Sequence, residues 1–447
     1  MLLRLLFILP LAALAFAAPN GQKAFPYAYV QEDLPNGLRL ITIPTDYPNV
    51  VALYIVVQTG SRNEIEPGHT GFAHLFEHLM FRGTEKFPAE KYTAALQSAG
   101  AASNAFTTDD FTAYYTVFSK EDLENMLLME ADRFQNLKYG EPQFKTEALA
   151  VLGEYNKNSA DPSSKLEEVL QDTAYRQHTY KHTTMGFLKD IQDMPNQYDY
   201  SLKFFDRYYR PEYTTIIVAG DVQAKLVRAL VDKYWGRWKR GDYKPEIPQE
   251  PPQNAARTNH VDWPRATLPL IVLAWHTPAY TDTARDSAAL DALAMLGFSP
   301  NSELYQKLVI QEQKADRLMA GSEDHVDPGL FSVEARVKKP EDVDYVRDQI
   351  LDTVKKLADT PVSAGQLDAV KKRIRYSFAL RQDNSQSIAM TAARYVALRR
   401  TPETINKLFG FYAQLTPEDI QQAARKYLKE NNRTIVTLNG TSQGGAR

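Results

Sequence analysis

Residues 71–80 read GFAHLFEHLM, and within this mostly apolar run His74, Glu77 and His78 are the groups that could do chemistry. On a helix, two histidines four apart leave from one face, and a glutamate three residues after the first lies beside them. Two neutral imidazoles placed this way are ligands for a divalent ion such as Zn2+. The neighbouring carboxylate can then take a proton from a water held at the metal. The order H-x-x-E-H reverses the H-E-x-x-H of zinc-binding helices. A histidine pair in a core helix also suits a hydrogen-bonded structural role, so these five positions alone leave both readings open.

A hydrolytic zinc site needs a third protein ligand and an open position for water. The sequence contains no cysteine, so the donors must be His, Asp or Glu. The stretch FKTEALAVLGEYNKN (144–158) reads as a helix with Glu147 and Glu154 two turns apart on one face.

With these residues in view, the chain resembles the pitrilysin, insulin-degrading and mitochondrial-processing peptidases, the inverzincins. The resemblance extends through residues 81–118, with an N-A-x-T element at Asn104, Ala105 and Thr107, and through EADRFQNL (130–137), YYRPEYTTIIVAGDV (208–222) and DPGLFSVEARV (327–337). It covers most of residues 26–440, densely in the first half and thinly in the second. It implies that Glu154, 76 residues after His78, is the third ligand of one Zn2+ per chain. It further implies that Glu77 is the general base of peptide hydrolysis and that Glu147 stands behind a histidine ligand, orienting it. Read without the resemblance, Glu147 is an ordinary helix-surface carboxylate, and a His2Glu site accepts several divalent ions. The segment Asn104, Ala105, Phe106 and Thr107 is, by resemblance, the edge strand along which a substrate backbone aligns, which implies broad peptide specificity. His69, His178, His182, His260, His276 and His325 show no ligand spacing and read as surface or structural residues.

These groups need a scaffold. At 447 residues with 44% apolar content, the chain can build two cores, since single cores stop growing near roughly 250–300 residues. The stretch GDYKPEIPQEPPQNAARTNH (241–260) holds four prolines among polar residues and reads as a semi-extended linker. On either side the halves look like copies of one plan. The first closes on YYRPEYTTIIVAGDV and the second on RKYLKENNRTIVTLNGT, with Gly220 answered by Gly440; VALYIVVQTGSRNE opens against LPLIVLAWHTPAYTD. A repeat this long is a duplicated domain rather than a solenoid unit. Strand runs and helix runs cluster more than they alternate, which predicts an α+β fold. Each of two homologous domains is then a mostly antiparallel sheet packed with helices. The units run over residues 23–240, with the metal motif, and 261–441, without it. By resemblance the pair forms half of a clam-like chamber.

A formal net charge of −3 gives no basic footprint for a phosphate backbone, so nucleic acid is not an expected partner. Residues 1–17 join one arginine to an apolar run and the small-residue pattern Ala15-Phe16-Ala17, a secretory signal peptide removed after about Ala17. The run is shorter than the ~20 residues of a span, although an uncleaved anchor is the alternative, and no membrane association is expected after cleavage. Export without disulfides fits the bacterial periplasm.

The family's second domain carries an Arg and a Tyr seven residues apart that face the substrate carbonyl. In NSELYQKLVIQEQKADRLMAG (301–321), aligned from Ser302 to Tyr305, Val309 stands at the Arg and Asp316 at the Tyr. Neither valine nor aspartate donates a hydrogen bond there, and Arg317 is offset by one residue onto another face. The sequence therefore reads as the zinc-bearing subunit of a peptidase whose homologous partner subunit carries the Arg/Tyr pair. The alternatives are a self-sufficient or homodimeric peptidase, and a non-catalytic peptide-binding assembly subunit.

Overall fold

The runs VVALYIVV (50–57) and TTIIVAG (214–220) are apolar without alternation, the pattern of strands covered on both faces. The computed structural model, which describes residues 23–441, places them at the centre of a six-stranded sheet. The segment read as a signal peptide lies outside the described residues. The strands are β1 (Val30–Asp33), β2 (Arg39–Pro44), β3 (Val50–Val57), β4 (Ala102–Thr107), β5 (Thr112–Ser119) and β6 (Thr214–Gly220). Their order is β1-β2-β6-β3-β5-β4. The β2–β6 pair is parallel and every other pair is antiparallel.

The second sheet repeats the plan. Its strands are β7 (Arg257–Trp263), β8 (Leu270–His276), β9 (Ala315–Ser322), β10 (Leu330–Val337) and β11 (Arg433–Gly440). Their order, β7-β11-β8-β10-β9, matches β2-β6-β3-β5-β4 strand for strand, and β7–β11 is its one parallel pair. The first sheet adds only β1. Both sheets are mostly antiparallel with helices packed against them, so the α+β duplication expected from the two halves describes the fold. Residues 241–256 carry no helix or strand. Strand β7 begins at Arg257, inside the stretch read as linker, because residues 257–260 pair with Thr434, Ile435, Val436 and Thr437 of β11.

Each sheet is covered on its second face by a helix from the other half. Ile41, Ile43, Ala52, Tyr54 and Ile217 of the first sheet pack against Ile388, Ala389, Ala392, Ala393 and Val396 of the helix Ser385–Arg399. In return, Leu166 and Leu170 of the helix Pro162–Ala174 pack against Leu270, Val272, Ala274 and Val436 of the second sheet. The exchange explains why the central strands are apolar on both faces, and it joins the halves through shared cores. Leu166→Ala, at a site that is 2% exposed, is expected to cost about 2–5 kcal/mol. A lowered midpoint in urea unfolding, read by tryptophan fluorescence, checks it; an unchanged midpoint would show that the helix is not part of that core. Among the described residues no helix is long and apolar enough to cross a membrane.

Candidate metal centre

The motif helix Phe72–Leu79 has eight residues, too few to be stable alone in water. Tertiary contacts hold it. Phe72, Leu75, Phe76 and Leu79 are buried in the first core, which leaves His74, Glu77 and His78 for the opposite side. Gly71, at the N-terminus, has φ 88° and no side-chain cap, and a Cβ there would sit 2.8 Å from the Met185 carbonyl oxygen. The missing cap comes from Glu64, whose Oε2 accepts from the Gly71 N–H at 2.7 Å and whose Oε1 accepts from the Ala73 N–H at 2.7 Å. Burial raises the Glu64 carboxyl, and these two amides pull it back. Farther along, the Tyr114 hydroxyl donates to the Phe76 carbonyl at 3.2 Å.

The second element is the helix Glu141–Asn158, anchored by buried Phe144, Ala148, Val151 and Tyr155. It presents Glu147 and Glu154 to the motif helix. Glu154 Oε2 lies 3.6 Å from His74 Nε2 and 3.6 Å from His78 Nε2. These separations are too long for hydrogen bonds. They approach the roughly 3.4 Å between tetrahedral ligands that each stand about 2.0–2.1 Å from one ion. The three donor atoms lie within 4.8 Å of one another, so the donor set fits a divalent cation.

At His74 protonation favours the same role. Burial and the neighbouring His78 hold the His74 imidazole down at about 4, which keeps it a neutral donor at neutral pH. His78 is shifted the other way, chiefly by Glu147, whose Oε2 stands 3.2 Å from its Nδ1. The same contact, helped by Arg82 on the other carboxylate oxygen, lowers Glu147 against its burial. Glu147 thus fixes the ring of His78 and leaves Nε2 pointing at Glu154. The Nδ1 of His74 is buried with no hydrogen-bond partner among the described residues, so packing alone orients that ring.

Glu77 is raised by burial, and the Thr107 hydroxyl, which donates to its Oε2 at 2.7 Å, acts in the opposite direction. Thr107 closes β4, the outermost strand of the first sheet, which is paired on one side with β5. Along β4, Asn104 is exposed, Ala105 buried, and Phe106 and Thr107 half-buried. A cleft of about 510 Å³ brings together His74, Glu77, Phe106, Thr107 and Glu154. A smaller one, about 340 Å³, joins Glu77, His78, Asn104 and Glu147. His74, Glu154, the raised Glu77 carboxyl and the end of the sheet edge share the larger cleft, and His78 lines the smaller one with Glu77 and Asn104, an arrangement that suits hydrolysis of an extended chain.

Residues 39–187 match the family model described as Insulinase (Peptidase family M16), and residues 197–374 match that of the Peptidase M16 inactive domain. The chain belongs to the M16, or pitrilysin, peptidase family. It is 28% identical over 412 residues, 91% of each chain, to the zinc protease PqqE of Helicobacter pylori. It is 23% identical over 423 residues to the mitochondrial-processing peptidase subunit beta of Blastocladiella emersonii, covering 91% of this chain and 87% of that one. The crystal structure of a protease from Helicobacter pylori superposes with a TM-score of 0.86 at 27% identity, over 92% of this chain and 99% of that one.

In this M16 chain Val309 lies in a π-helical turn (Gln306–Gln311), packed on the second core, and Asp316 on β9 is held by Arg336 at 2.8 Å. Arg317 is committed to Glu334 on β10. Sequence reading passed over Glu64 and Arg82, which lack ligand spacing; the only available signal was that a helix opening on glycine needs an acceptor from elsewhere. His178 and His325, which show no ligand spacing in the sequence and read as surface or structural residues, pair with Asp327 and Asp110.

Proposed function

We propose that this chain is a zinc-dependent endopeptidase, the metal-bearing member of a two-subunit enzyme acting on peptides or unfolded polypeptide segments. The observation that carries this reading is the convergence of His74, His78 and Glu154 beside Glu77 at an open sheet edge. His74, His78 and Glu154 would hold zinc, which would supply the Lewis acidity for activating water and a scissile carbonyl. Glu77 takes the proton and delivers it to the leaving amine. The Thr107 hydroxyl aims that carboxylate, and Glu147 orients His78 and raises its basicity. An extended substrate adds to β4 through main-chain hydrogen bonds along Asn104, Ala105, Phe106 and Thr107, so few side chains are selected.

Val309 and Asp316 leave the oxyanion without the Arg and Tyr donors of the family. A homologous partner subunit supplies them, each worth ~3–4 kcal/mol in the transition state. Similarity to a protein named as a beta subunit supports this division of labour. The metal-bearing unit, ending near residue 240, and the metal-free unit after it form one wall of a chamber shared with that partner. The leader-like residues 1–17 and the absence of cysteine support export to a bacterial periplasm. A self-sufficient enzyme using Arg317 is disfavoured by its pairing with Glu334.

The test is cleavage of a quenched fluorogenic peptide by the purified, zinc-loaded chain, alone and with a homologous Arg/Tyr-bearing subunit, against Glu77→Gln as blank. The expected result is a rate near the blank alone and at least about 100-fold higher with the partner. A robust rate from the chain alone overturns the divided site.

A further inference from the structure

The loop between β9 and β10, residues 323–329, leaves the metal-free domain and reaches the turn between β4 and β5. Asp110 in that turn accepts from the Val326 N–H at 3.1 Å, and its Oδ2 is 3.1 Å from His325 Nδ1. Two residues on, Asp327 accepts from Arg62 Nε at 2.6 Å and faces His178 Nε2 at 3.0 Å. The Tyr180 hydroxyl bridges the two carboxylates' neighbourhoods, donating to Asp110 and accepting from the Asp327 N–H. Asp110, His178 and Tyr180 are all buried. From its other side the same turn is gripped by Gly60, Ser61 and Arg62. A Cβ on Gly60 would lie 2.2 Å from the Thr108 carbonyl oxygen, and the Arg62 N–H donates to the Asp109 carbonyl at 2.8 Å.

This turn directly continues the strand that ends on Thr107, the hydrogen-bond donor to Glu77. We propose that His325 and Asp327 are positioning residues for the reaction: they hold the β4–β5 turn, and through Thr107 they set the register of the substrate edge and the direction of Glu77. The inference rests on the peptidase reading above and gives the metal-free domain a role in catalysis without contact with substrate. Loss of the His325 cation leaves the buried Asp110 carboxylate with the Tyr180 hydroxyl, the Val326 N–H and Arg62 Nε at 3.9 Å, so one charge-assisted bond is lost and not the whole clasp.

The clasp also has a pH signature. His325 is faced by Asp109, Asp110, Glu323 and Asp324 and by the ring of Tyr180. Burial pulls its imidazole down, but the hydrogen bond and charge of Asp110, with Asp109 and Glu323, carry it up to about 9. A histidine raised on folding stabilises fully below its unfolded value of about 6.5, and that contribution disappears as pH rises through the folded value.

The test is amide hydrogen exchange on the zinc-loaded chain, joined to steady-state cleavage with the partner subunit present. In His325→Gln, protection of residues 102–111 is expected to fall about tenfold and kcat about tenfold, with zinc still at one per chain. His325→Lys, which restores a cation opposite Asp110, recovers both. Unchanged protection in residues 102–111 overturns the proposal. So does a loss spread equally over the helices Pro162–Ala174 and Ser385–Arg399, which would mark general domain adhesion. If His325→Gln does not fold, the wild-type chain decides: protection of residues 102–111, corrected for intrinsic exchange, must fall as pH rises from about 6.5 toward the raised folded value, and a flat profile over that range overturns the clasp. If no cleavage is found in any assembly, the peptidase reading fails while the exchange data still judge the clasp.

Discussion

Glu77→Gln is expected to lower kcat for peptide cleavage by about 10²–10⁴-fold while bound zinc stays at one per chain. Glutamine keeps the size of the side chain and its contact with Thr107 but accepts no proton at neutral pH. His74, His78 and Glu154 are untouched, so metal content measured by mass spectrometry separates loss of the base from loss of the ion. Cleavage at the wild-type rate would remove Glu77 from the mechanism. The same carboxyl sets an acidic limb in the rate profile. It works as the ionised form, so activity falls as pH drops through its pKa, which burial raises and Thr107 lowers. Thr107→Val removes the donor that favours the ionised form and is expected to move the limb of kcat/KM to higher pH. An unmoved limb would mean that another group titrates there.

Glu154→Ala is expected to strip the metal, with zinc far below one per chain and cleavage at the level of the Glu77→Gln blank. Two histidines alone leave an ion with no protein carboxylate and a weakened, pH-sensitive hold. Glu147→Gln, in contrast, keeps all three converging donors and is expected to weaken zinc binding by about 10–100-fold, through loss of the charge that fixes and strengthens His78. Competition with a chromophoric chelator ranks the two. If Glu147→Gln loses as much zinc as Glu154→Ala, Glu147 is itself a ligand and the assignment must be revised.

The two pairs of the candidate metal centre were legible in the sequence because they sit on helices, where spacing and side-chain direction are locked together, whereas the joining of Glu154 to the histidines was implied by the family resemblance alone. His74 to His78 is one turn and Glu147 to Glu154 is two, so residue type and number already place each pair on one face. The doubling of the fold was legible for a similar reason, since Gly220 and Gly440 end equivalent strands. The departure at Val309 and Asp316 was implied only by the family resemblance, against which neither residue type can donate a hydrogen bond.

Other parts depended on contacts between residues far apart in the chain. Nothing near residue 64 predicts that its carboxylate caps the motif helix, or that Arg82 takes the second oxygen of Glu147. The exchange of helices between the two sheets puts Leu166 in one core with Val272 and Ile388 in another with Ile217. Spacing within one element carries no information on such partners. The histidines divide along the same line. His74 and His78 announce themselves by a local period, whereas His178 and His325 acquire meaning only when the loop after β9 meets Arg62 and Asp110. By itself, then, the sequence determined that His74, Glu77 and His78 share one helix face and Glu147 and Glu154 another, because helical geometry is local. Only the tertiary structure decided what aims those groups and which half of the molecule steadies them, because such contacts form when distant segments share one core.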